Sequence, residues 1–487
     1  MPLLLNILIP TIFAGIIFIL GERVAAKQTR RLFVLAALLN FFCSIFSLQF
    51  FYEGSAAFRQ WLFLDHISTP ILLLTASLFV WVSIHTVGWL QAIDALTVRG
   101  AVDGPAAPTI SSRLYSEAIF LACMLLFLGA MNLAISATNL SLFWVAIEAT
   151  TLVSAPLICF QRSKAALEAM WKYLLICSLG IALALLGLFF LAIADPTRSG
   201  LNFFVLRECA NLLDLQWGKA AFILILAGYG TKMGLAPFHT WLPDTYSATP
   251  GVVSALLSGA LLNCAFLGIL RITQIMPEAL HTSCKQMLLA LGFLSLFTAA
   301  VFVIRQQNYK RLLGYSSIEH MGLLAIILAC SLRAPLMQRV LVWHLVGHSM
   351  LKVALFLLAG NIVLAYGTRS VNMVKGMFES MKWNASLFLL FLLLLCGCPP
   401  SPLFATELLL ILELSSWQGA VLLLLLFMVA AGMLHAAMRM CMGSNPKRES
   451  MRKSALLAEK LAPMPAISGF LALFFGCSLL YMLLKLF

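Results

Sequence analysis

A lysine stands inside the apolar segment AAFILILAGYGTKMGLAPFHTWLPD, shortly before two prolines. This residue is Lys232, and a helix that breaks after it would leave free backbone carbonyls for an ammonium group or for water. Burial disfavours the charged form of a lysine, so Lys232 could release and take up a proton. The alternative is a lysine near a helix end that extends its charge to the surface. His239 and Asp244 frame the break, either as functional groups or as helix caps.

Two glutamates also lie in apolar surroundings. Glu148, in LSLFWVAIEATTLVSAPLI, is the only charged residue between Asn139 and Gln161. A solitary buried carboxyl is either protonated or paired with a cation on another helix. Glu407, in PLFATELLLILE, follows a second proline-rich break and mirrors Lys232, while Glu413 is the weaker candidate because it is closer to the helix end.

Two histidines and a lysine are spaced by four residues in HLVGHSMLK. On a helix, His344, His348 and Lys352 form one stripe. Neutral imidazole both donates and accepts a proton, so a proton relay is the interpretation we favour. Structural hydrogen bonding and a metal site are the alternatives, although lysine is a poor third metal ligand.

The rest of the chain supplies the hydrophobic elements that hold these groups. Of the 487 residues, 62% are hydrophobic and 10% are charged, whereas soluble domains carry about 25% charged residues. Apolar runs long enough to cross a bilayer as helices recur throughout. We predict fourteen transmembrane helices, near residues 3–20, 32–51, 67–90, 117–135, 139–160, 170–193, 219–236, 247–270, 285–304, 312–330, 337–365, 384–413, 418–438 and 464–486. The eleventh and twelfth look too long, which predicts tilt or a break in each.

Charge placement predicts the topology. The net charge is +13, but most Lys and Arg residues lie in the loops after odd-numbered spans. Positive loops stay in the cytoplasm, so both termini should face the other side. The charge therefore reflects topology and does not indicate nucleic-acid binding.

The proline breaks suggest an internal repeat. APFHTWLP and CGCPPSPLF interrupt helices 7 and 12, which are five spans apart. Broken helices at matching places in two halves are typical of inverted repeats. We expect an all-α polytopic protein with helices 1–3 in residues 1–113, five-helix repeats in 114–275 and 284–441, and helix 14 in 460–487. The twelve cysteines have no paired spacing, and we interpret them as small core residues.

Several segments together resemble antiporter-like subunits of respiratory complex I and membrane-bound hydrogenases. They include GTKMGLAPFHTWLPDTYSATPGVVSALLSGALLNCAFLGILRI, NYKRLLGYSSIEHMGLLAI and WHLVGHSMLKVALFLLAGNIV. WVAIEATTLVSAPLICFQRSKAALEAMWKYLLICSLG resembles the hydrogenase-4 component F branch most closely. The resemblance covers nearly the whole chain and implies fourteen helices with two inverted five-helix repeats, in a prokaryotic cytoplasmic (inner) membrane.

The same resemblance assigns roles to residues. Glu148 and Lys232 match functional positions of the fifth and seventh helices. The stripe from His344 through His348 to Lys352 matches the eleventh, and Glu407 the twelfth. Supporting positions are Lys172, His239, Asp244 and Asn263. Complex I members often have lysine where this chain has Asn263, which cannot titrate and could only orient water.

The resemblance implies a proton-translocating subunit of a redox complex, with no cofactor or metal of its own. The implied partners are other membrane subunits, lipids and a peripheral redox arm with iron–sulfur subunits. Three other functions stay open: a subunit of a multisubunit sodium/proton antiporter, a non-conducting scaffold for a catalytic arm, and, more remotely, a solute carrier.

Overall fold

The computed structural model of the chain describes residues 2–21, 25–48, 60–97, 110–198, 200–444 and 448–484. Within these ranges the chain is helical, and β-structure is limited to isolated bridges. The first helices are α1 (Pro2–Leu20), α2 (Ala26–Ser47), α3 (Ser68–Thr97), α4 (Ile110–Ser136), α5 (Leu140–Ile158), α6 (Lys164–Ala194), α7 (Phe203–Glu208), α8 (Leu215–Met233), α9 (Trp241–Ala248) and α10 (Gly251–Leu256). A π-helical turn at Leu257–Leu261 joins α10 to the next helix. The remaining helices are α11 (Leu262–Ile275), α12 (Glu278–Val303), α13 (Tyr309–Ser331), α14 (Pro335–Tyr366), α15 (Met377–Ser380), α16 (Lys382–Leu395), α17 (Pro402–Glu413), α18 (Ser416–Cys441), α19 (Arg448–Lys460) and α20 (Pro463–Leu484).

Twelve helices in the described ranges are long and apolar enough to cross a membrane. They agree with twelve of the fourteen predicted spans, with α10, the π turn and α11 counted as one. The other two predicted spans, the seventh and the twelfth, are each divided into two helices: α8 and α9, and α16 and α17. The predicted all-α polytopic membrane fold is therefore confirmed, whereas the inverted repeats stay a prediction.

The break in the seventh span is built from local backbone chemistry. Gly234 follows α8 with φ of 83°, a left-handed conformation that glycine adopts without strain, and its N–H bonds to carbonyls of the last turn. Trp241, fully buried at the start of α9, donates from Nε1 to the carbonyl of Thr231 at 2.8 Å. That bond gives the Thr231 carbonyl, at the end of α8, a side-chain donor where no further helical turn continues to supply N–H groups.

The break in the twelfth span has a similar construction. Gly397 follows α16 with φ of 70°, and the side chain of Ser401 accepts the Leu403 N–H to cap α17. Pro402 occupies the first turn of α17, where its missing N–H costs nothing. The eleventh span, in contrast, is continuous over the 32 residues of α14, so only the twelfth of the two overlong spans is broken.

The described chain divides into two compact units. The first contains Met1–Ser83, Pro108–Trp241 and Ala260–Leu288, and the second contains Ile84–Ala107, Leu242–Gly259 and Leu289–Phe487. In the first unit α6 packs so closely on α8 that a β-carbon at Gly228 would lie 2.7 Å from the Ala184 β-carbon. This close contact fixes the position of Lys232 at the end of α8.

Candidate functional site

Lys232 is completely buried in the first unit and is held by hydroxyl groups. Its Nζ donates to Thr151 Oγ1 on α5 and to the Tyr173 hydroxyl on α6, each at 2.7 Å. Nζ also lies 4.7 Å from the centroid of the Tyr173 ring, where a charged ammonium gains a cation–π interaction. The sequence-predicted lysine is therefore in the protein interior and does not reach the surface.

The hydroxyls around Lys232 form an ordered chain of donors. Ser154 Oγ lies 2.7 Å from the Tyr173 hydroxyl and donates to the Thr151 carbonyl at 3.1 Å. Ser154 therefore accepts from Tyr173, and Tyr173 in turn accepts from Lys232. Chains of this kind polarise one another in a low-dielectric interior, so the lysine can carry a charge there without a carboxylate in direct contact.

Glu148 lies on the same helix as Thr151 but does not pair directly with Lys232. Its Oε1 accepts from Ser178 Oγ at 3.0 Å, and its Oε2 has no hydrogen-bond partner among the described residues. The carboxyl is near enough to act on Lys232 electrostatically. In this arrangement the lysine rests on neutral hydroxyls, and the glutamate is a separate group that is partly buried.

The supporting positions of the first unit have different surroundings. Asn263 is fully buried on α11. Lys172 lies at the surface of α6 and pairs with Glu168 one turn earlier, at 2.6 Å, outside the Lys232 group. His239, in the break, is partly buried, and its Nδ1 lacks a hydrogen-bond partner in the described part of the chain.

The second unit contains the predicted stripe on α14. His344, His348 and Lys352 are all completely buried. His344 Nδ1 lies 2.9 Å from Thr406 Oγ1, which itself donates to the Leu403 carbonyl. The threonine hydroxyl therefore accepts from His344 Nδ1–H, and this leaves Nε2 of a neutral His344 as an acceptor.

A third histidine, His320 on α13, joins this stripe. Its Nδ1 lies 3.3 Å from His344 Nε2. A proton on His320 Nδ1 can therefore be donated to this acceptor. The His320 ring centroid is 5.1 Å from that of His348. Neither ring nitrogen of His348 has a hydrogen-bond partner within the described residues, which is unusual for a buried imidazole.

Lys352, at the end of the stripe, is held in the same manner as Lys232. Its Nζ donates to the Leu313 carbonyl at 2.8 Å and to Ser316 Oγ, both on α13. The acceptors are again neutral oxygens. Within the described residues, each unit therefore contains a buried lysine that neutral oxygen atoms hold, Lys232 in the first and Lys352 in the second.

Glu407 and Glu319 line a small cavity with room for about one water molecule. Glu407 is on α17 and is 8% exposed, and Glu319 is on α13 and is 5% exposed. Leu395, Cys396 and apolar side chains of α18 complete the wall. The predicted Glu407 is therefore accompanied by a second carboxyl.

Asp244 is in the first turn of α9 and forms an ion pair with Arg311 at 2.9 Å. Asp244 is 27% exposed and Arg311 is 40% exposed, and such pairs are worth about 0–1 kcal/mol. Its position in the first turn complements the helix dipole. Of the two interpretations of Asp244, this geometry favours the structural one.

Sequence reasoning missed several residues that surround Lys232 and several that surround the stripe on α14. Thr151, Ser154 and Tyr173 carry only hydroxyls, which are common in apolar helices and gave no signal. Glu319 and His320 gave a clear one, because both are ionisable and lie in the middle of the predicted tenth span, within GYSSIEHMGLL.

Residues 137–434 match the family described as NADH:quinone oxidoreductase/Mrp antiporter, transmembrane. The match covers more than half of the chain, and the chain belongs to this family. It is thus an antiporter-like membrane subunit, as the resemblance implied.

One relative is the hydrogenase-4 component F homolog of Methylacidiphilum infernorum, 36% identical over 288 residues, or 58% of this chain. The aligned part spans 60% of the length of that relative. The Mrp complex of Dietzia sp. DQ12-45-1b has a chain of the same fold, with a TM-score of 0.78, 17% identity, and coverage of 98% of this chain and 96% of that chain. Respiratory complex I of Thermus thermophilus has another, with a TM-score of 0.72, 22% identity and 97% coverage of each chain.

Proposed function

We propose that the chain is a proton-translocating subunit of a multisubunit redox complex of the hydrogenase-4 or NADH:quinone oxidoreductase type. It moves protons through Glu148, Lys232, His344, His348, Lys352 and Glu407. The relative named hydrogenase-4 component F homolog supports the type of complex. The redox chemistry belongs to partner subunits, including an iron–sulfur arm, and this chain carries no cofactor.

The observation that carries the proposal is the environment of Lys232. A buried lysine is tolerated when its charge is compensated, and here two hydroxyls provide part of that compensation. Since the charge is not locked in a carboxylate ion pair, loss of the proton leaves a neutral amine among neutral hydroxyls. Both protonation states fit the same site, which is what a proton carrier needs. Movement of Glu148 relative to Lys232 would then favour one state over the other.

The second unit offers a comparable set of groups. His320, His344 and Thr406 are joined by hydrogen bonds in one direction. A neutral imidazole passes a proton by accepting at one nitrogen and donating from the other. His348, both of whose ring nitrogens lack partners among the described residues, has both ring positions open to a partner in proton transfer.

The experiment is proton pumping by the whole complex in sealed vesicles, with redox turnover measured in parallel. Lys232→Ala should abolish pumping while redox turnover can continue. Lys219→Ala is the matched control, because Lys219 is an exposed residue at the other end of α8. Intact pumping in Lys232→Ala would refute the proposal.

A subunit of a multisubunit sodium/proton antiporter is the second candidate, and the family description, which includes Mrp antiporters, favours it. Sodium-dependent proton flux, absent with potassium alone and independent of any redox substrate, would support it. A scaffold role is less consistent with the buried ionisable residues, because each costs roughly 2.5–3.5 kcal/mol on membrane-insertion scales.

A further inference from the structure

Two carboxyl groups, those of Glu319 and Glu407, line the cavity between α13, α16, α17 and α18. Within the described residues, neither Glu319 nor Glu407 has a hydrogen-bond or ion-pair partner, although both are nearly buried. Buried carboxylates normally accept several hydrogen bonds or pair with a cation. Two bare carboxylates on one cavity would repel each other strongly.

The backbone around the cavity is shaped to admit the Glu407 carboxyl. Gly397 lies against it, and a β-carbon there would collide with Glu407 Oε2. The left-handed φ of 70° at Gly397 also suits glycine best. The connection between α16 and α17 thus leaves room for the Glu407 carboxyl beside the cavity that Glu319 also lines.

We propose that Glu319 and Glu407 form a carboxyl pair that holds one proton between them across this cavity. The pair is a proton-binding site that deepens the proposed function and rests on it. With one proton, one carboxyl is neutral and donates to the other, directly or through a water molecule. Like charges that share a site keep one carboxyl protonated in this manner.

Lys352 connects this pair to the stripe on α14. Ser316, which accepts from Lys352 Nζ, precedes Glu319 by three residues, so both lie on one face of α13. Lys352 is also near enough to act on Glu319 electrostatically. Transfer of a proton from the ammonium of Lys352 would leave a neutral amine and a doubly protonated, neutral pair.

Among the described residues, the other titratable groups near the pair are thiols. Cys396 lies in the cavity wall, and Cys398 is near enough to Glu407 to interact with it. The side chains that α18 contributes, Leu426, Val429 and Ala430, are apolar. Within the described part of the chain, Lys352 is therefore the cation that acts on the pair, through Glu319.

Infrared spectroscopy tests the pair directly, since a protonated carboxyl has a C=O stretching band that shifts on deuteration. The full complex would be titrated as wild type, Glu319→Gln and Glu407→Gln. Each substitution removes the like charge, so the remaining carboxyl should lose its proton at a lower pH, by about one unit or more, the coupling at which two groups titrate together. Glu413→Gln, on an exposed position of the same helix, should titrate as wild type.

An unchanged titration in Glu319→Gln would overturn the pair, because Glu407 would then hold its proton alone. If a glutamine variant fails to fold, the titration of the wild type alone is decisive. Two separated deprotonation steps of the carboxyl band support the pair, and a single step overturns it. The band does not depend on transport. Failure of the pair and failure of proton pumping through Lys232 are thus distinguishable.

Discussion

Tyr173→Phe removes one oxygen atom from the Lys232 site and keeps the ring. The hydroxyl accepts from Lys232 Nζ at 2.7 Å and lies 2.7 Å from Ser154 Oγ. In the variant Lys232 keeps Thr151 Oγ1 as its hydrogen-bond acceptor. The ring that lies beneath Nζ is also retained, so the change isolates the hydrogen bond from packing.

The size of the effect depends on the charge of the donor. A hydrogen bond to a charged group is worth about 1.5–3 kcal/mol, and one between neutral groups about 0.5–1.5 kcal/mol. The protonated lysine therefore loses about 1–1.5 kcal/mol more than the neutral lysine, which changes the ratio of the two forms roughly tenfold. Transport that depends on the protonated form should fall by up to about tenfold at neutral pH.

The assay is the initial rate of proton pumping in vesicles at several pH values. Because lower pH refills the protonated form, the variant should regain wild-type rate when the pH falls by about one unit. Tyr366→Phe is the control, since this tyrosine donates to the Lys375 carbonyl at an exposed position. A wild-type rate at every pH, or a loss that lower pH does not relieve, would refute the role of this hydrogen bond.

Two further predictions concern topology and stability. Arg305 and Arg333 lie on either side of α13. In a cysteine-free background, Arg305→Cys should react with a membrane-impermeant thiol reagent from the cytoplasm, and Arg333→Cys should react from the opposite side of the membrane. Labelling of both from the same side would contradict the positive-inside assignment. Asp65→Ala should lower stability by about 0.5–2 kcal/mol, because its carboxylate accepts the Ser68 N–H and hydroxyl at the start of α3. Burial raises the pKa of Asp65, but the charge of Arg271 and the hydrogen bonds from Ser68 and Ile67 outweigh burial, so the pKa is lowered. The stabilisation by the Asp65 carboxylate is therefore present above about pH 4 and is lost as the pH falls further. Thermal unfolding in detergent at neutral and acidic pH measures it, and an equal deficit at both would be inconsistent with a titrating cap.

Much of the fold could be predicted because membrane helices are long and nearly uniform in composition. The proline-rich segments also located both breaks, since proline cannot donate to a helical hydrogen bond. The eleventh span could not be judged in the same way. Its length suggested a break or tilt, but HLVGHSMLK contains no proline, and α14 continues through it.

The candidate site could be predicted only in part. Lys232, Glu407 and the stripe on α14 were visible because charge in an apolar run is rare. Their partners were not, since the acceptors Thr151, Tyr173 and Ser316 are ordinary residues that become relevant only when helices pack. The pairing of Glu319 with Glu407 joins positions 88 residues apart along the chain, and no local pattern reveals contacts over such a separation.

The π-helical turn at Leu257–Leu261 affects how the eighth span can be compared with those of its relatives. Such a turn holds one more residue than an α-helical turn, and each extra residue rotates the rest of the helix by about 100°. Asn263 lies just after it, on α11. A relative with an uninterrupted α-helix here would have its corresponding residues displaced by one position on one side of the turn. Counting along the chain therefore cannot decide which residue of such a relative is the counterpart of Asn263; superposition of the two helices in space can.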